Sequence, residues 1–240
     1  MQSRSLFHVH TYRCGHAENV PDQAYIDRAI WLGASDIWFS DHAPFPGDYF
    51  GNRMKYAELP EYIETLQGLK EKYKGQIAVH VGLEIEYLPS FDGQGYYLEL
   101  QNTHGLEFLL LGQHMAEVQD NPSKCSFEMD SKWKNENEHK AIGDAIVHGI
   151  RSGYFSFVAH PDRGFKRCKK WSEEMEKISR NIIGAAKEEN IPLEQNEASK
   201  QRKRHYWQEF WNLADGVEIV HGLDAHFLKD LRLVEEQETE

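Results

Sequence analysis

The sequence predicts a single α/β domain over residues 1–240, a distorted (β/α)7 TIM-like barrel. Short apolar stretches alternate with stretches of helical periodicity, a pattern typical of parallel strands joined by right-handed crossovers. Seven such units average about 34 residues each, close to the spacing of a (β/α)8 barrel of about 250 residues. Polar side chains suited to metal binding follow the apolar stretches, at the rim where barrel enzymes carry their active sites.

Seven apolar stretches are predicted to be the barrel strands. They are Ser5–His10, Asp36–Ser40, Ile77–Ile85, Glu107–Gly112, Phe155–His160, Pro192–Asn196 and Val217–His221. Apolar stripes with i, i+3, i+4 spacing predict three amphipathic helices between the strands. These stripes run from Leu59 to Tyr73, from Ile142 to Ile150 and from Met175 to Ala186.

Two segments interrupt the alternation. Residues 116–135 form a long polar connection without periodicity, and a connection of that length in a compact domain is expected to be a lid or a disordered loop. The acidic segment Glu235–Glu240 is predicted to be a frayed helix end.

The composition limits the class of partner and the compartment. Lys and Arg number 27 against 39 Asp and Glu, and the net charge of −12 disfavours nucleic acid and anionic membranes as partners. Cys14, Cys125 and Cys168 are odd in number and widely spaced, so we expect a reducing compartment rather than a disulfide framework. We find neither an apolar run of roughly 18 residues nor a signal-peptide core. We therefore predict a cytoplasmic protein that acts on a small molecule, of undetermined oligomeric state.

Histidine and carboxylate side chains stand where the predicted strands end. They are His8, His10, His16, His42, Glu84, His114, His160, Asp224 and His226. Imidazole and carboxylate groups are ligands of zinc, iron and manganese. Alternate residues of a strand point to one face, so His8 and His10 are expected to reach the same ion. One such motif is a moderate signal, but the set as a whole predicts a metal centre at the C-terminal rim of the strands.

The same motifs resemble the PHP (polymerase and histidinol phosphatase) family over essentially the whole chain. The matching runs are His-x-His, Cys-Gly-His-Ala, Phe-Ser-Asp-His-Ala-Pro, Gly-Leu-Glu, Gly-Gln-His, His-Pro-Asp and Asp-Ala-His. Residues 52–73 resemble the monofunctional histidinol-phosphate phosphatases in particular. Those phosphatases often carry Glu-x-Asn-Thr-Ser-Gly after the sixth strand, where this chain has Glu-Gln-Asn-Glu-Ala-Ser at 194–199. The departure concerns the identity of the substrate and leaves the ligand positions intact.

The resemblance implies a centre of three divalent transition-metal ions, of zinc, iron or manganese. The implied ligands are His8, His10, Glu84 and Asp224 for the first ion, Glu84, His114 and His160 for the second, and His16, His42 and His226 for the third. Three such ions and two carboxylates leave a charge of about +4, which suits a phosphate dianion. The implied reaction is hydrolysis of a phosphomonoester by a metal-activated water, with L-histidinol phosphate, an intermediate of histidine biosynthesis, as the leading candidate substrate.

Four cationic side chains are predicted to complete the phosphate pocket. Arg163, Lys166 and Arg167 follow the His-Pro-Asp motif, and Arg53 lies in the loop after the second strand. Arg163 is the first choice, for catalysis as well as binding, because the guanidinium fork matches the geometry of a phosphate group.

Two further points stay open from the sequence. Asp41 and Asp162 adjoin predicted ligands, and each is placed either to orient an imidazole or to pass a proton to the leaving group. Three alternative functions also remain: a phosphatase of another small metabolite, a PHP-type phosphodiesterase or nuclease, and a non-enzymatic metal-binding domain. The acidic balance disfavours the nuclease, and the complete ligand set disfavours the non-enzymatic domain.

Overall fold

The computed structural model describes residues 2–235. Seven parallel strands form a closed barrel within that range, so the predicted fold class is confirmed. We label the barrel strands β1 Ser5–Val9, β2 Asp36–His42, β3 Ala78–Ile85, β4 Phe108–Leu111, β5 Phe157–Val158, β6 Leu193–Asn196 and β7 Ile219–Ala225. Their order is β7-β1-β2-β3-β4-β5-β6, so each strand lies beside the next one along the chain.

Within residues 2–235, eight α-helices lie between the strands. They are α1 Asp22–Leu32, α2 Leu59–Lys72, α3 Pro89–Asp92, α4 Tyr96–Gln101, α5 Ser131–Ser152, α6 Glu173–Glu189, α7 Glu197–Arg202 and α8 Gln208–Leu213. The three predicted stripes fall in α2, in the C-terminal half of α5 and in α6. Helices α5 and α6 begin after Asp130 and Ser172, whose side chains accept hydrogen bonds from backbone N–H groups of the first turn.

The long polar connection is more ordered than the sequence predicts. An antiparallel pair, Glu117–Val118 with Asn121–Cys125, is followed by a 3-10 turn at Ser126–Glu128, and α5 begins soon after. The expectation of a loop without secondary structure is therefore wrong. The second of these strands is exposed along most of its length, so it lacks the apolar alternation that identifies a strand in a sequence.

The two ends of the chain pair with each other. Gln2–Ser3 and Val234–Glu235 form a short antiparallel ladder, so the helix end predicted from Glu235 onward is wrong at that residue. The rest of the predicted acidic helix end, residues 236–240, lies outside the described residues.

Packing divides the described chain into two compact units. The first unit comprises residues 2–84, 103–108 and 221–235, with β1, β2, most of β3 and β7, α1 and α2. The second unit comprises residues 85–102 and 109–220, with most of β4, β5, β6 and α3 to α8. Organisation as one domain remains a prediction from the sequence.

The register between β2 and β3 organises the first unit. These strands pair without interruption from Asp36 opposite Ala78 to His42 opposite Glu84, which places two predicted ligands side by side. Gly82 is required in β3, because a Cβ atom there would lie 2.5 Å from the ring of Phe108. The carbonyl of Gly82 also accepts a hydrogen bond from the hydroxyl of Tyr62 on α2.

The second unit is built on the packing of α5 against α6. Ile142 and Ile146 of α5, and Ile182 of α6, are each at most 2 % exposed. Gly143 permits the close approach of the two helices, because a Cβ atom there would lie 2.4 Å from the side chain of Ile178. No helix in the described part of the chain is long and apolar enough to cross a membrane.

Candidate metal centre

Two strands of the first unit are bulged where they carry predicted ligands. Strand β1 has one more residue than β2 just before Val9, and β7 has one more than β1 just before Ala225. His8 (φ 67°) and Asp224 (φ 49°) lie in these bulges and adopt the left-handed conformation. A bulge changes the direction of a side chain. The alternation of side chains along a regular strand therefore does not explain why His8 and His10 lie together. The two rings nonetheless lie close together, with centroids 4.9 Å apart.

Glu84 lies among three imidazoles. Its Oε2 atom is 3.0 Å from His42 Nδ1, 3.4 Å from His8 Nε2 and 3.5 Å from His10 Nε2. Two ligands held at about 2.1 Å by one tetrahedral ion stand about 3.4 Å apart. The separations around Glu84, which is 1 % exposed, therefore match those of side chains that share a cation.

Asp224 provides a second carboxylate in the same cluster. Its Oδ1 atom is 3.4 Å from His10 Nε2, 3.5 Å from His226 Nδ1 and 3.8 Å from His8 Nε2. Ligand atoms of His8, His10 and Asp224 all lie within 4.8 Å of one another, as do those of His10, His42 and Glu84. The structure thus brings together the four residues that the resemblance assigns to the first ion.

The ring of His10 suits a cation. It is fully buried, and neither of its nitrogens has a hydrogen-bond partner among residues 2–235. Burial, together with the neighbouring His226 and His42, holds the pKa of His10 well below its ordinary value. His10 is therefore neutral, which is the state that binds a metal. A bound divalent ion would give these nitrogens a partner and would offset the free-energy cost of burying them unpaired.

A second group of ligands surrounds His226. Ligand atoms of His16, His42 and His226 lie within 4.8 Å of one another, and these are the residues that the resemblance assigns to the third ion. The ring centroids of His16 and His226 are 4.5 Å apart. Burial lowers the pKa of both His16 and His226, which again favours neutral imidazoles.

Cys14 lies beside this group, although the sequence did not indicate it as a ligand. Its sulfur and the ligand atoms of His10 and His226 lie within 4.8 Å of one another. Burial raises the pKa of the thiol to about 12. The ligand sets that the family resemblance implies do not include this thiol, so we interpret Cys14 as a packing neighbour of the metal cluster.

Asp41 anchors the segment that follows β1. Its Oδ1 atom accepts a hydrogen bond of 2.8 Å from the backbone N–H of Thr11, next to the 3-10 turn Tyr12–Cys14 that leads to His16. The other oxygen, Oδ2, has no hydrogen-bond partner within the described chain. Burial raises the pKa of Asp41 to about 6. A role in proton transfer remains a prediction.

The second unit holds the other two predicted ligands. His114 follows β4 and His160 follows β5, and their ring centroids are 5.1 Å apart. His114 Nδ1 is 3.1 Å from Oε1 of Glu86, a buried carboxylate that the sequence analysis missed. Its signal is the spacing Glu84-x-Glu86 at the end of an apolar strand. Among the residues that can be described, His114 belongs to no close group of three ligand atoms.

Asp162 accepts hydrogen bonds from two tryptophans, one through its backbone and the other through its side chain. Its Oδ2 atom accepts hydrogen bonds from the N–H of Trp207 at 2.8 Å and from Trp211 Nε1 at 3.1 Å. Burial raises the pKa of Asp162 to about 6. The carboxylate therefore fastens the segment before α8 to the 3-10 turn Pro161–Phe165, and its predicted catalytic role remains a prediction.

Two of the predicted phosphate ligands contact a buried carboxylate instead. Arg167 Nε donates to Glu138 Oε2 at 2.7 Å, and Lys166 Nζ lies 3.5 Å from Glu138 Oε1. Lys166 Nζ also donates to the carbonyl of His114 at 3.3 Å, and burial lowers the pKa of its ammonium group. Glu138 was not expected from the sequence, since it lies on a helix face among charged residues. Phosphate binding by Lys166 and Arg167 stays a prediction.

The two remaining cations are placed differently. Arg163 lies in the 3-10 turn Pro161–Phe165 and is partly exposed. Arg53 donates from its guanidinium to the carbonyl of Ala43 at 3.0 Å, one residue beyond His42. That guanidinium also lies over the ring of Phe45, 5.3 Å from the centroid. Arg53 is thus held close to the end of β2, within the first unit.

Comparison with known proteins places the sequence in a family. The PHP domain matches residues 7–198. The histidinol-phosphatase of Bacillus subtilis (strain 168) is 33% identical over 255 residues, an alignment that covers 93% of this chain and 94% of the relative.

Two solved structures share the fold. A Listeria monocytogenes protein proposed to be a histidinol phosphatase has a TM-score of 0.74 at 17% identity, over 95% of this chain and 97% of that one. The histidinol phosphate phosphatase of Lactococcus lactis subsp. lactis Il1403, with bound zinc, L-histidinol and phosphate, has a TM-score of 0.69 at 19% identity, over 94% and 87% of the two chains. The sequence match, the shared barrel and the ligand cluster agree, and the chain belongs to the PHP family.

Proposed function

We propose that this protein is a metal-dependent phosphoric monoester hydrolase that converts L-histidinol phosphate to L-histidinol and phosphate. The observation that carries the proposal is the gathering of seven ligand-type side chains in the first unit: His8, His10, His16, His42, Glu84, Asp224 and His226. The full-length likeness to the Bacillus subtilis histidinol-phosphatase supports the substrate. The Lactococcus lactis relative binds both L-histidinol and phosphate.

We further propose that the chain holds three divalent ions. Two of the three ligand sets implied by the family resemblance coincide with close groups in the first unit. His114 and His160 complete the implied set. A divalent ion at these residues would supply positive charge for the phosphoryl oxygens and make water a better nucleophile near neutral pH. Nitrogen and oxygen ligands accept zinc, iron or manganese, and zinc is the first to test because the Lactococcus lactis relative contains it.

The charges of the side chains around the proposed site favour the binding of a phosphate dianion. A neutral imidazole adds no charge of its own, so Glu84 and Asp224 are the only anions of the proposed ligand set. The chain as a whole carries a net charge of −12, so an anionic substrate needs a local cation to bind. We assign that part to Arg163, whose guanidinium can donate two parallel hydrogen bonds to one phosphoryl group.

The proton for the departing alcohol is assigned to one of two carboxyl groups. Asp41 and Asp162 are fully buried, and their pKa values of about 6 let them hold a proton near neutral pH. Each has one oxygen anchored to the protein and one without a hydrogen-bond partner in residues 2–235, Oδ2 of Asp41 and Oδ1 of Asp162. These two oxygens are where we propose the proton is held.

We also propose that the protein acts in the cytoplasm on a small phosphorylated metabolite and without nucleic acid. The charge balance supports the exclusion of nucleic acid, since no excess of cations is available to bind a polyanion.

A substrate screen tests the proposal. Protein stripped with a chelator and reloaded with zinc, iron or manganese is assayed against L-histidinol phosphate, other amino-alcohol and sugar phosphates, and bis-p-nitrophenyl phosphate. We expect the highest kcat/KM on L-histidinol phosphate, loss of activity after stripping and its return on reloading. A preference for the diester would instead support the phosphodiesterase alternative. Absence of any phosphatase activity in the metal-loaded protein would contradict the proposal.

A further inference from the structure

The imidazole of His114 faces a carboxylate that is not itself a predicted ligand. Glu86 Oε1 is 3.1 Å from His114 Nδ1, and Glu86 is 1 % exposed. A carboxylate accepts hydrogen bonds but cannot donate them, so Nδ1 of a neutral His114 must carry the proton. The lone pair is then on Nε2, which is the nitrogen that would bind a metal ion.

The two segments that carry this pair are clamped together. The Gln113 side chain accepts from the N–H of Tyr87 at 2.9 Å and donates to the carbonyls of Tyr87 and Met115 at 3.0 and 2.6 Å. The carbonyl of Glu86 accepts a further bond of 2.7 Å from the hydroxyl of Tyr97. The backbone is therefore fixed on both sides of His114 and on the C-terminal side of Glu86.

Two other predicted ligands, His16 and His226, have backbone acceptors in the same position. His16 Nδ1 faces the carbonyl oxygen of Cys14 at 2.9 Å, and His226 Nδ1 faces the carbonyl of Asp224 at 3.0 Å. Those acceptors are backbone carbonyls, whereas Glu86 is a carboxylate, which forms the stronger hydrogen bond when it is ionised. A carboxylate behind an imidazole orients the ring and raises the basicity of the metal-binding nitrogen.

We propose that Glu86 is a positioning residue for the metal ion bound by His114, which it fixes in the Nδ1–H tautomer and makes a stronger ligand. This inference rests on the proposed metal centre. Glu86 belongs to no close group of three ligand atoms in the described residues, which supports an indirect role. Its contact with His114 Nδ1 at 3.1 Å is the route by which it would act on the ion.

Substitutions at Glu86 give graded expectations. In Glu86→Gln the amide oxygen can still accept the Nδ1 proton but the charge is lost, so zinc affinity at one site should fall about tenfold. In Glu86→Leu the acceptor itself is removed, and the fall should approach about a hundredfold. Glu86→Asp keeps the charge with a shorter reach, and it should recover part of the loss relative to the leucine variant.

The measurement is zinc affinity by competition with a chromophoric chelator, together with the ¹⁵N spectrum of histidine-labelled protein. The spectrum should show His114 as a single Nδ1–H tautomer in the wild type and as a mixture in Glu86→Leu, with the signal assigned through His114→Gln. Glu138→Gln is the matched control, because Glu138 is a carboxylate of the same unit, 3 % exposed, whose contacts go to Lys166 and Arg167. Its zinc affinity should stay within about twofold of the wild type.

Two results would overturn the inference about Glu86. Wild-type zinc affinity and an unchanged His114 tautomer in both Glu86→Gln and Glu86→Leu would overturn the inference. So would a gain of affinity, which would mean that Glu86 competes with the ion for His114. If Glu86→Leu does not fold, the glutamine and aspartate variants decide alone. A wild-type protein that binds no zinc would contradict the metal centre itself, an outcome distinct from the failure of Glu86 to affect it.

Discussion

In the first unit the predicted metal ligands lie close to one another. In the second unit His114 and Asp162 contact residues that are not predicted ligands. In the first unit Glu84 and Asp224 stand 3.0 to 3.8 Å from four imidazoles, and both nitrogens of buried His10 lack hydrogen-bond partners in the described chain. In the second, His114 has Glu86 and Asp162 has two tryptophan N–H donors.

The two units therefore depend on different interactions to hold their polar side chains in place. Ligands crowded around a shared centre depend on an ion to offset the cost of burying them, so a substitution among them should change metal content first. Side chains hydrogen-bonded to their own protein hold position without an ion, so a substitution there should change stability or orientation first. The following substitutions test this division, from the largest expected effect to the smallest.

Glu84→Gln should have the largest effect. It removes the charge that lies within 3.5 Å of three imidazole nitrogens, and the resemblance makes this carboxylate the ligand of two ions. We expect metal content to fall by about two equivalents and kcat/KM by roughly a thousandfold or more. Elemental analysis and a phosphatase assay measure both.

Glu107→Gln is the matched control in the same unit. Glu107 accepts from Lys70 and from the backbone N–H of Val81, away from the ligand cluster. It should lose some stability but no metal. Loss of only one equivalent in Glu84→Gln would argue that its carboxylate does not bridge two ions.

Arg163→Ala should lower kcat/KM by about a hundredfold, with a fall in kcat as well as a rise in KM. The reason is that the hydrogen bonds from the guanidinium are expected to strengthen as negative charge develops on the phosphoryl group. Metal content should not change. Arg163→Lys should recover part of the loss, since lysine keeps the charge without the planar fork. Arg180→Ala, which removes an exposed guanidinium paired with Glu176, serves as the control. Wild-type kcat/KM in Arg163→Ala would transfer the phosphate-binding role to Arg53.

Asp162→Ala should mainly reduce stability. It leaves the buried N–H groups of Trp207 and Trp211 without their shared acceptor, at a cost of about 2 kcal/mol, or about 4–8 °C in Tm. Asp162→Asn keeps an acceptor oxygen and should melt closer to the wild type. Thermal unfolding followed by circular dichroism distinguishes the two. An alanine variant that melts like the wild type would show that the anchor contributes nothing.

Cys14→Ala should have the smallest effect on the metal centre. The thiol lies near His10 and His226, but the ligand sets that the family resemblance implies do not include it. We expect unchanged metal content and a loss of about 1 kcal/mol from the missing sulfur, measured by elemental analysis and thermal unfolding. Loss of a metal equivalent would make Cys14 a ligand.

The sequence predicted the barrel and the cluster of the first unit because both depend on local patterns. Apolar stretches identify strands, and the ends of parallel strands bring their following residues to one rim. The bulges at His8 and Asp224 could not be predicted, because an extra residue in one strand is defined only by its partner.

The supporting residues of the second unit also escaped prediction. Glu86 and Glu138 are ordinary acidic residues in the sequence, and only tertiary packing shows that each is at most 3 % exposed. The same packing directs Lys166 and Arg167 to Glu138, a contact that no spacing along the chain reveals. The periodicity of a sequence cannot identify contacts between residues that are distant along the chain. It can locate ligands that directly follow strands.

Metal stoichiometry tests the central claim most directly. Protein purified without chelator and supplemented with zinc, iron and manganese is analysed for bound metals after gel filtration. Because nine side chains at the strand ends form the proposed ligand set, we predict between two and three equivalents of transition metal per chain. A content near zero after supplementation would contradict the account, since the buried nitrogens of His10 would then have no cation to bind.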